Sequence, residues 1–370
     1  MRVKLLHCGD LHLDAPFTSL SDAEARPGSR RQELKKALAA IAELAREQRV
    51  DLILICGDLY EQGYTRRSTI QFIFDQFLKI RDIPVLLIPG NHDPATPDSY
   101  YCMGGWPSNV TILGEGGNIY FEHPSSGTRV YGCIPTEDGM DDRRINILML
   151  HGTLDMPFST DAFQPVMSEE LDASGFDYCA LGHFHSRICG AGAKRRIYNA
   201  GSPEPLGFDE EGEHGVFVVT VEKQQGGESS IQAEFKSIGT RHFINLQVQA
   251  GDCLSDEQVA ARVAQAMKNA GGSEDLFRIF LKGHISRDFR IDTDYTAELL
   301  KTEAFYVRVI DQTTPDYNFE QISGEPGLRG LFTRKMLERA AASRDDEERQ
   351  LVMQALYYGM EAIDEGSVCI

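Results

Sequence analysis

Along the amino-terminal half of this chain, short apolar runs are each followed closely by a residue able to bind a hard divalent cation. The segments are Asp10-Leu11-His12, Gly57-Asp58, Gly90-Asn91-His92-Asp93, His151-Gly152 and Gly182-His183-Phe184-His185, followed by a loop from Tyr198 to Pro203. An apolar run that reads as a strand delivers the residues just past it to the edge of a sheet, where active sites are commonly built. Packing gives no reason to gather so many acids, amides and imidazoles at strand ends. The chain must therefore fold so that these strands end at one edge, around shared polar chemistry.

Periodicity fills in the architecture. Val3–Cys8, Leu52–Cys56, Val85–Ile88, Ile147–Leu150 and Tyr178–Leu181 are nearly all apolar, as strands covered on both faces are. Between the first three, Leu34, Ala37, Leu38, Ile41 and Ala45, then Ile70, Ile73, Phe74, Phe77 and Leu78, recur at helical steps. That is βαβαβ order. Val110–Leu113, Ile119–Glu122, Arg129–Ile134, Gly215–Val221 and Ile231–Lys236 are shorter and parted by Gly, Pro and Ser, which suggests antiparallel pairing; Gln224–Ser230 reads as a hairpin tip. An α/β domain with two central sheets and outer helices accommodates both patterns.

At 370 residues the chain exceeds the usual single domain. The expected division is a catalytic domain over 1–240, a small α+β domain over 241–325 and a helical segment over 326–370. In the last, Leu328, Leu331, Phe332 and Met336 form one apolar stripe and Val352, Ala355, Leu356 and Ile363 another. These stripes fit either a helical hairpin capping its own domain or a docking face for a partner.

Charge limits the partners. The formal net charge is −19, from 37 Lys and Arg against 56 Asp and Glu, and the acid is spread along the chain. Because non-specific affinity for nucleic acid rests on cationic side chains, DNA would be held weakly unless a local patch, a bound metal or a partner supplies positive charge. The 8 cysteines form no CxxC pair, and a reduced, cytoplasmic protein is the simplest account. Met1–Leu6 leads straight into a strand with no room for a signal peptide, and no apolar stretch approaches the length of a membrane span.

Phosphodiesters resist hydrolysis because anionic oxygens shield the phosphorus and the leaving alkoxide is poor. Two cations about 3.5–4 Å apart address both by activating water to hydroxide and neutralising developing charge. Asp58 is the expected bridge between them. Asp10, His12 and His185 would complete one metal, and Asn91, His151 and His183 the other. In extended chain, residues two apart point the same way, which suits Asp10 with His12 and His183 with His185. His92 should face the substrate as general acid or transition-state stabiliser, with Asp93 orienting its imidazole. Manganese is favoured over zinc because the donors mix oxygen and imidazole without thiolate; iron, nickel and magnesium are further options.

The ordered set Asp-x-His, Gly-Asp, Gly-Asn-His-Asp, His-Gly and Gly-His-x-His resembles the calcineurin-like metallophosphoesterase superfamily. Tyr198-Asn199-Ala200-Gly201-Ser202-Pro203, with Phe208-Asp209-Glu210 beyond, resembles the SbcD-type DNA repair nucleases, and His7–Phe17 is similar to their YhaO-like branch. The resemblance implies a four-layer α/β sandwich of two mixed sheets flanked by helices, manganese-dependent cleavage of DNA, and a coiled-coil ATPase partner; a homodimer is a further option. One position departs from the pattern. Three residues after the bridging Asp, where many such nucleases carry a second His, this chain has Glu61. An acid there cannot donate as a cation and would repel phosphate, which puts processive exonuclease activity in doubt; the alternative is a solvated turn residue.

Two other readings compete with a DNA nuclease. A phosphodiesterase for small or cyclic nucleotides keeps the chemistry and needs no basic track. A scaffold for DNA ends or an ATPase, with a vestigial metal site, would bind fewer than about one equivalent of manganese. His7 reads as a core or supporting group, and His123, His214, His242 and His284 as packing or surface residues. Ser202 is a phosphate contact or part of a tight turn, and Leu154–Val166 a loop beside the substrate groove.

Overall fold

Alternation of buried apolar strands with one-sided helices is what the computed structural model shows, and it describes residues 1–20, 26–114, 118–135, 140–156, 163–224 and 227–365. The two units are Met1–Phe243 and Ile244–Ile370. The first begins β1 (Arg2–Cys8), α1 (Arg26–Glu47), β2 (Leu52–Cys56), α2 (Arg67–Lys79), β3 (Val85–Ile88), α3 (Tyr100–Met103) and β4 (Val110–Ile112). It continues with β5 (Tyr120–His123), β6 (Thr128–Tyr131), β7 (Ile145–His151), α4 (Ser168–Ala173), β8 (Tyr178–Gly182), β9 (Ile188–Ala191) and β10 (Ile197–Asn199). A long hairpin, β11 (Gly215–Lys223) and β12 (Ser229–Ser237), completes it.

These strands form two mixed six-stranded sheets, in the orders β12-β11-β1-β2-β3-β4 and β5-β6-β7-β8-β10-β9. Strand periodicity explains the layers. Val3, Leu5, Leu52, Leu54, Cys56 and Leu86 face Val130, Ile147, Met149 and Ala180 in a core between the sheets. The alternate residues Leu6, Ile53, Ile55 and Leu87 are also buried, on the face that the apolar stripes of α1 and α2 cover. On the outer face of the second sheet, Leu148, Cys179 and Leu181 pack with Leu171 of α4 and Phe176. Strands covered on both sides are why the parallel runs carry almost no polar residue.

Pairing direction departs from the expectation for the short strands. β5–β6 and β11–β12 are antiparallel, whereas β4 adds parallel to β3 and β6 lies parallel to β7. Gly and Pro mark that the chain turns but not which way it returns, and the longer connections here leave room for crossovers. Tyr198 and Asn199, expected in a loop, belong to β10. Of the expected hairpin tip, residues 225 and 226 lie outside the described residues, as do 157–162 of the loop after His151 and 366–370 of the helical end.

The second unit contains β13 (Phe243–Gln249), α5 (Asp256–Ala270), β14 (Leu276–Lys282), β15 (His284–Ile285), α6 (Thr293–Leu300), β16 (Tyr306–Asp311) and β17 (Thr314–Pro315). Helices α7 (Phe319–Ser323), α8 (Leu328–Ala341) and α9 (Asp346–Glu365) follow. β13, β14 and β16 form a three-stranded sheet, with Phe277, Ile279 and Leu281 packed on Val259, Val263 and Met267 of α5. The helical pair buries part of each expected stripe, Phe332 and Met336 of the first and Val352 and Leu356 of the second. Leu328 is 70% and Leu331 49% exposed, while Phe332, Met336 and Leu337 pack on Leu356 and Met360 with Tyr317 and Ile322. Gly359 permits this approach, since a Cβ there would lie 2.1 Å from the Phe332 ring. None of the described helices is long and apolar enough to cross a membrane.

Candidate metal centre

Because β1, β2 and β3 run parallel in one sheet and β7 and β8 in the other, the carboxyl ends of five strands deliver the candidate ligands to one edge. Asp10 and His12 follow β1, Asp58 follows β2, Asn91 follows β3, His151 ends β7, and His183 and His185 follow β8. Their convergence does not come from extended chain. Asp10, His12, Asp58 and His183 have φ of 52°, 44°, 50° and 95°, in the left-handed region that L residues rarely adopt. Such positions cost on the order of 1–3 kcal/mol each and persist only where surrounding structure enforces them. Here Asp10 N donates to Gly57 O at 3.1 Å and His12 N to Asp58 O at 2.9 Å, so the first two loops brace each other.

Among the described residues, three overlapping sets of donor atoms are close enough to hold a cation, two of them sharing Asp10 and the third made of His12, Glu61 and His92. Asp10, His12 and His185 lie within reach of one cation, as do Asp10, Asp58 and His151. His12 Nε2 is 3.1 Å from His185 Nε2. Asn91 Oδ1 is 2.8 Å from His151 Nε2 and 3.2 Å from His183 Nδ1. Asp58 Oδ2 stands 3.6 Å from His12 Nε2 and 3.3 Å from His151 Nε2. The far ring nitrogens supply a test of fit. His151 Nδ1–H donates to Cys56 O at 2.8 Å, His185 Nδ1–H to Glu210 Oε1 at 2.7 Å and His12 Nδ1–H to Glu61 Oε1 at 2.8 Å. Imidazoles held this way turn Nε2 inward as a lone-pair donor, the arrangement that metal-ligating histidines require. The residues present therefore suit divalent cations with mixed oxygen and nitrogen donors.

Charge in the site is uneven. Burial works against ionisation of Asp58, yet its hydrogen bond to His151 and the nearby imidazoles hold its carboxyl down at about 2. Burial pushes the Asp10 carboxyl up despite three neighbouring imidazoles. His151 and His185 are also buried, but Asp58 and Asp10 for the first and Glu210 for the second hold them up at about 9.

Several residues occupy places other than those expected. Asp93 does not orient His92. It is buried beneath the loops, accepting from Gly90 N at 2.7 Å, Leu59 N at 2.7 Å, Asp58 N at 3.1 Å and Tyr101 Oη at 2.6 Å. The partner of His92 is Glu61, whose Oε2 accepts from His92 Nδ1–H at 3.0 Å. Glu61 is no solvated turn residue, for its side chain is only 13% exposed. Burial opposes its charge, but the hydrogen bonds from His12 and His92 hold its carboxyl at about 2. Ser202 is fully buried and donates to Glu210 Oε2 at 2.7 Å, so it braces that carboxylate rather than facing a phosphate. His214 lies beneath, its Nδ1 2.8 Å from Ser202 O.

His7 bridges the two sheets in the core, between Tyr178 Oη at 2.8 Å and Leu181 O at 2.9 Å, and burial lowers its pKa to about 4. The ring of Phe163 lies 5.8 Å from both His151 and His183, so the stretch after His151 returns to the rim of the site. Sequence reasoning assigned no role to Glu210. Its signal was its place in Phe208-Asp209-Glu210, just beyond the Tyr198–Pro203 segment, among the residues that carry the family resemblance.

Known proteins resemble this chain in sequence. A Bacillus subtilis (strain 168) protein described as uncharacterized metallophosphoesterase YhaO is 28% identical over 239 residues, covering 58% of this chain and 57% of its own length. The DNA double-strand break repair protein Mre11 of Saccharolobus solfataricus is 25% identical over 201 residues, half of each chain. The chain thus spans little more than half the length of these relatives. Among solved structures, TT1561 of Thermus thermophilus matches with a TM-score of 0.39 and 13% identity, over 58% of this chain and 94% of that one. The calcineurin-like phosphoesterase family model matches residues 3–187, the stretch that carries every candidate ligand from Asp10 to His185, and the chain belongs to that family.

Proposed function

We propose that this chain hydrolyses phosphodiester bonds in DNA with two divalent cations, manganese foremost, and that it is akin to the SbcD-type nucleases and their YhaO-like branch. The observation that carries the reading is Asp58 Oδ2, set between His12 Nε2 at 3.6 Å and His151 Nε2 at 3.3 Å. Asp10, His12 and His185 would hold one cation and Asn91, His151 and His183 the other. Bound there, the pair supplies an activated water and neutralises charge developing on the phosphate.

The chain's own residues supply the rest. His92 N donates to Asp58 Oδ1 at 2.8 Å, which fixes the loop, and the His92 side chain is 45% exposed beside the ligands. Its hydrogen bond to Glu61, with burial acting against it, raises its pKa. The ring can then carry a proton near neutrality and pass it from Nε2 to the departing oxygen. Similarity to Mre11 supports DNA as substrate. A coiled-coil ATPase partner in the cytoplasm would supply the cationic surface that a chain of charge −19 lacks.

That same charge favours a second reading, a phosphodiesterase for small or cyclic nucleotides. Nucleotide release from end-labelled DNA in manganese, measured beside turnover of cyclic nucleotides, separates the two. His92→Ala should slow the favoured substrate by about 10²–10⁴-fold. Equal rates for both proteins would remove His92 from the chemistry, and turnover of cyclic nucleotides without DNA cleavage would select the second reading.

A further inference from the structure

Glu61 touches both halves of the site at once. Its Oε1 accepts from Nδ1–H of the candidate ligand His12 at 2.8 Å, and its Oε2 from Nδ1–H of the candidate acid His92 at 3.0 Å. The two rings meet edge to face with centroids 4.7 Å apart, close enough for one carboxylate to span them. A neutral imidazole has one N–H, and the acceptor that takes it decides which nitrogen is left to work. For His12 the free nitrogen is Nε2, turned toward His185 Nε2 and Asp58 Oδ2. For His92 the nitrogen left to work is again Nε2, which in the protonated ring carries the proton it gives up while Nδ1–H stays on Glu61.

The carboxylate is itself held in place. Glu61 N donates to Leu13 O at 3.1 Å, Glu61 O accepts from Tyr64 N at 2.9 Å and Thr65 N at 2.8 Å, and Gln62 N donates to His92 O at 3.1 Å. The turn after Asp58 is thus tied to the loop of His12 and to the loop of His92. A surface turn residue would leave its carboxylate to water. This one commits both oxygens to imidazoles 49 and 31 positions away in the chain.

We propose that Glu61 is a positioning residue shared by the metal ligands and the acid, one oxygen aiming His12 at a cation and the other aiming His92 at the substrate. The assignment deepens the phosphodiesterase reading and rests on it for what the two imidazoles do. It predicts that metal uptake and turnover depend jointly on a side chain that touches neither cation nor substrate.

Glu61→Gln tests this, since it keeps the shape but offers one acceptor oxygen and can serve only one ring. Three measurements are made on the full chain: a manganese binding isotherm, the downfield imidazole N–H signals in the proton spectrum of the metal-free protein, and kcat and KM on bis-p-nitrophenyl phosphate at saturating manganese. The wild type should show three carboxylate-bound imidazole signals, from His12, His92 and His185, and the variant should lose at least one of the two that Glu61 accepts. One manganese equivalent should weaken by about 10–100-fold while the other holds, and kcat should fall with little change in KM.

Glu61→Asp keeps the charge but withdraws both oxygens by one methylene, and it should behave like the Gln variant. Wild-type behaviour of Glu61→Asp would assign the effect to charge alone and overturn the bridge. Wild-type isotherm, signals and kcat in Glu61→Gln would overturn it as well, and loss of a third manganese equivalent would make Glu61 a ligand instead. If the wild type cleaves no phosphodiester, the functional reading fails, while the proton signals and isotherms still decide the two hydrogen bonds.

Discussion

Two imidazoles of the site hold a proton near neutrality before any cation arrives. His151 and His185 are raised to about 9 by the carboxylates beside them, although burial alone would lower them. A cation must displace those protons from Nε2, so manganese affinity should rise with pH and level off above about 9. Stability of the metal-free chain runs the other way. Both folded values lie above the ordinary histidine value, so their contribution is complete below about 6.5 and is lost as pH rises through about 9. Calorimetry in buffers of different ionisation enthalpy should register about two protons released per chain near pH 7. Release close to zero would mean that neutral rings await the metal.

Among the elements, the strand ends matter more than the strands. β2 and β8 belong to different sheets, yet their ends close on each other so tightly that a Cβ at Gly182 would lie 1.8 Å from Cys56 O and 3.0 Å from His151 Nδ1. Gly57, at φ 83°, is as confined, with His151 Nδ1 2.2 Å from its would-be Cβ. Bringing two sheet edges this close is what allows ligands from both to share Asp58. Gly182→Ala must therefore shift backbone at the site. It should cost about 1–3 kcal/mol in urea unfolding and weaken manganese binding in parallel. A variant with wild-type stability and affinity would show that the edges can separate without harm. The α8–α9 pair follows similar logic, since Gly359 rather than a wider apolar stripe lets Phe332 seat.

For the molecule as a whole, every candidate ligand and its supporting carboxylate lies in the unit Met1–Phe243. Ions that bind the folded state alone stabilise it by mass action. Free manganese at about 100 times its dissociation constant should add about 2.7 kcal/mol per site, and chelation with EDTA should lower Tm accordingly. An unchanged Tm on chelation would point to the vestigial-site reading. The overall charge of −19 bears on substrate in the same way. On the proposed DNA-cleaving reading, the metal-free site would meet DNA with its own acids, so DNA retention should depend steeply on bound metal.

Ten of the twelve strands of the two large sheets, the helices α1 and α2 and the seven candidate ligands were legible in the linear order of residues, because apolar periodicity and polar strand ends are local properties, whereas β9 and β10 were not. The partners of the imidazoles were not. Glu61 reads as a turn residue and Asp93 as the natural neighbour of His92, until folding brings Glu61 against His12 and His92 and draws Asp93 beneath the loops to Gly90 and Leu59. Chain direction was hidden for the same reason, since β4 and β6 show no local trace of the strand they pair with. Local spacing names the groups that can do chemistry. Which nitrogen each one presents depends on acceptors that lie tens of residues away and meet it only when the chain folds.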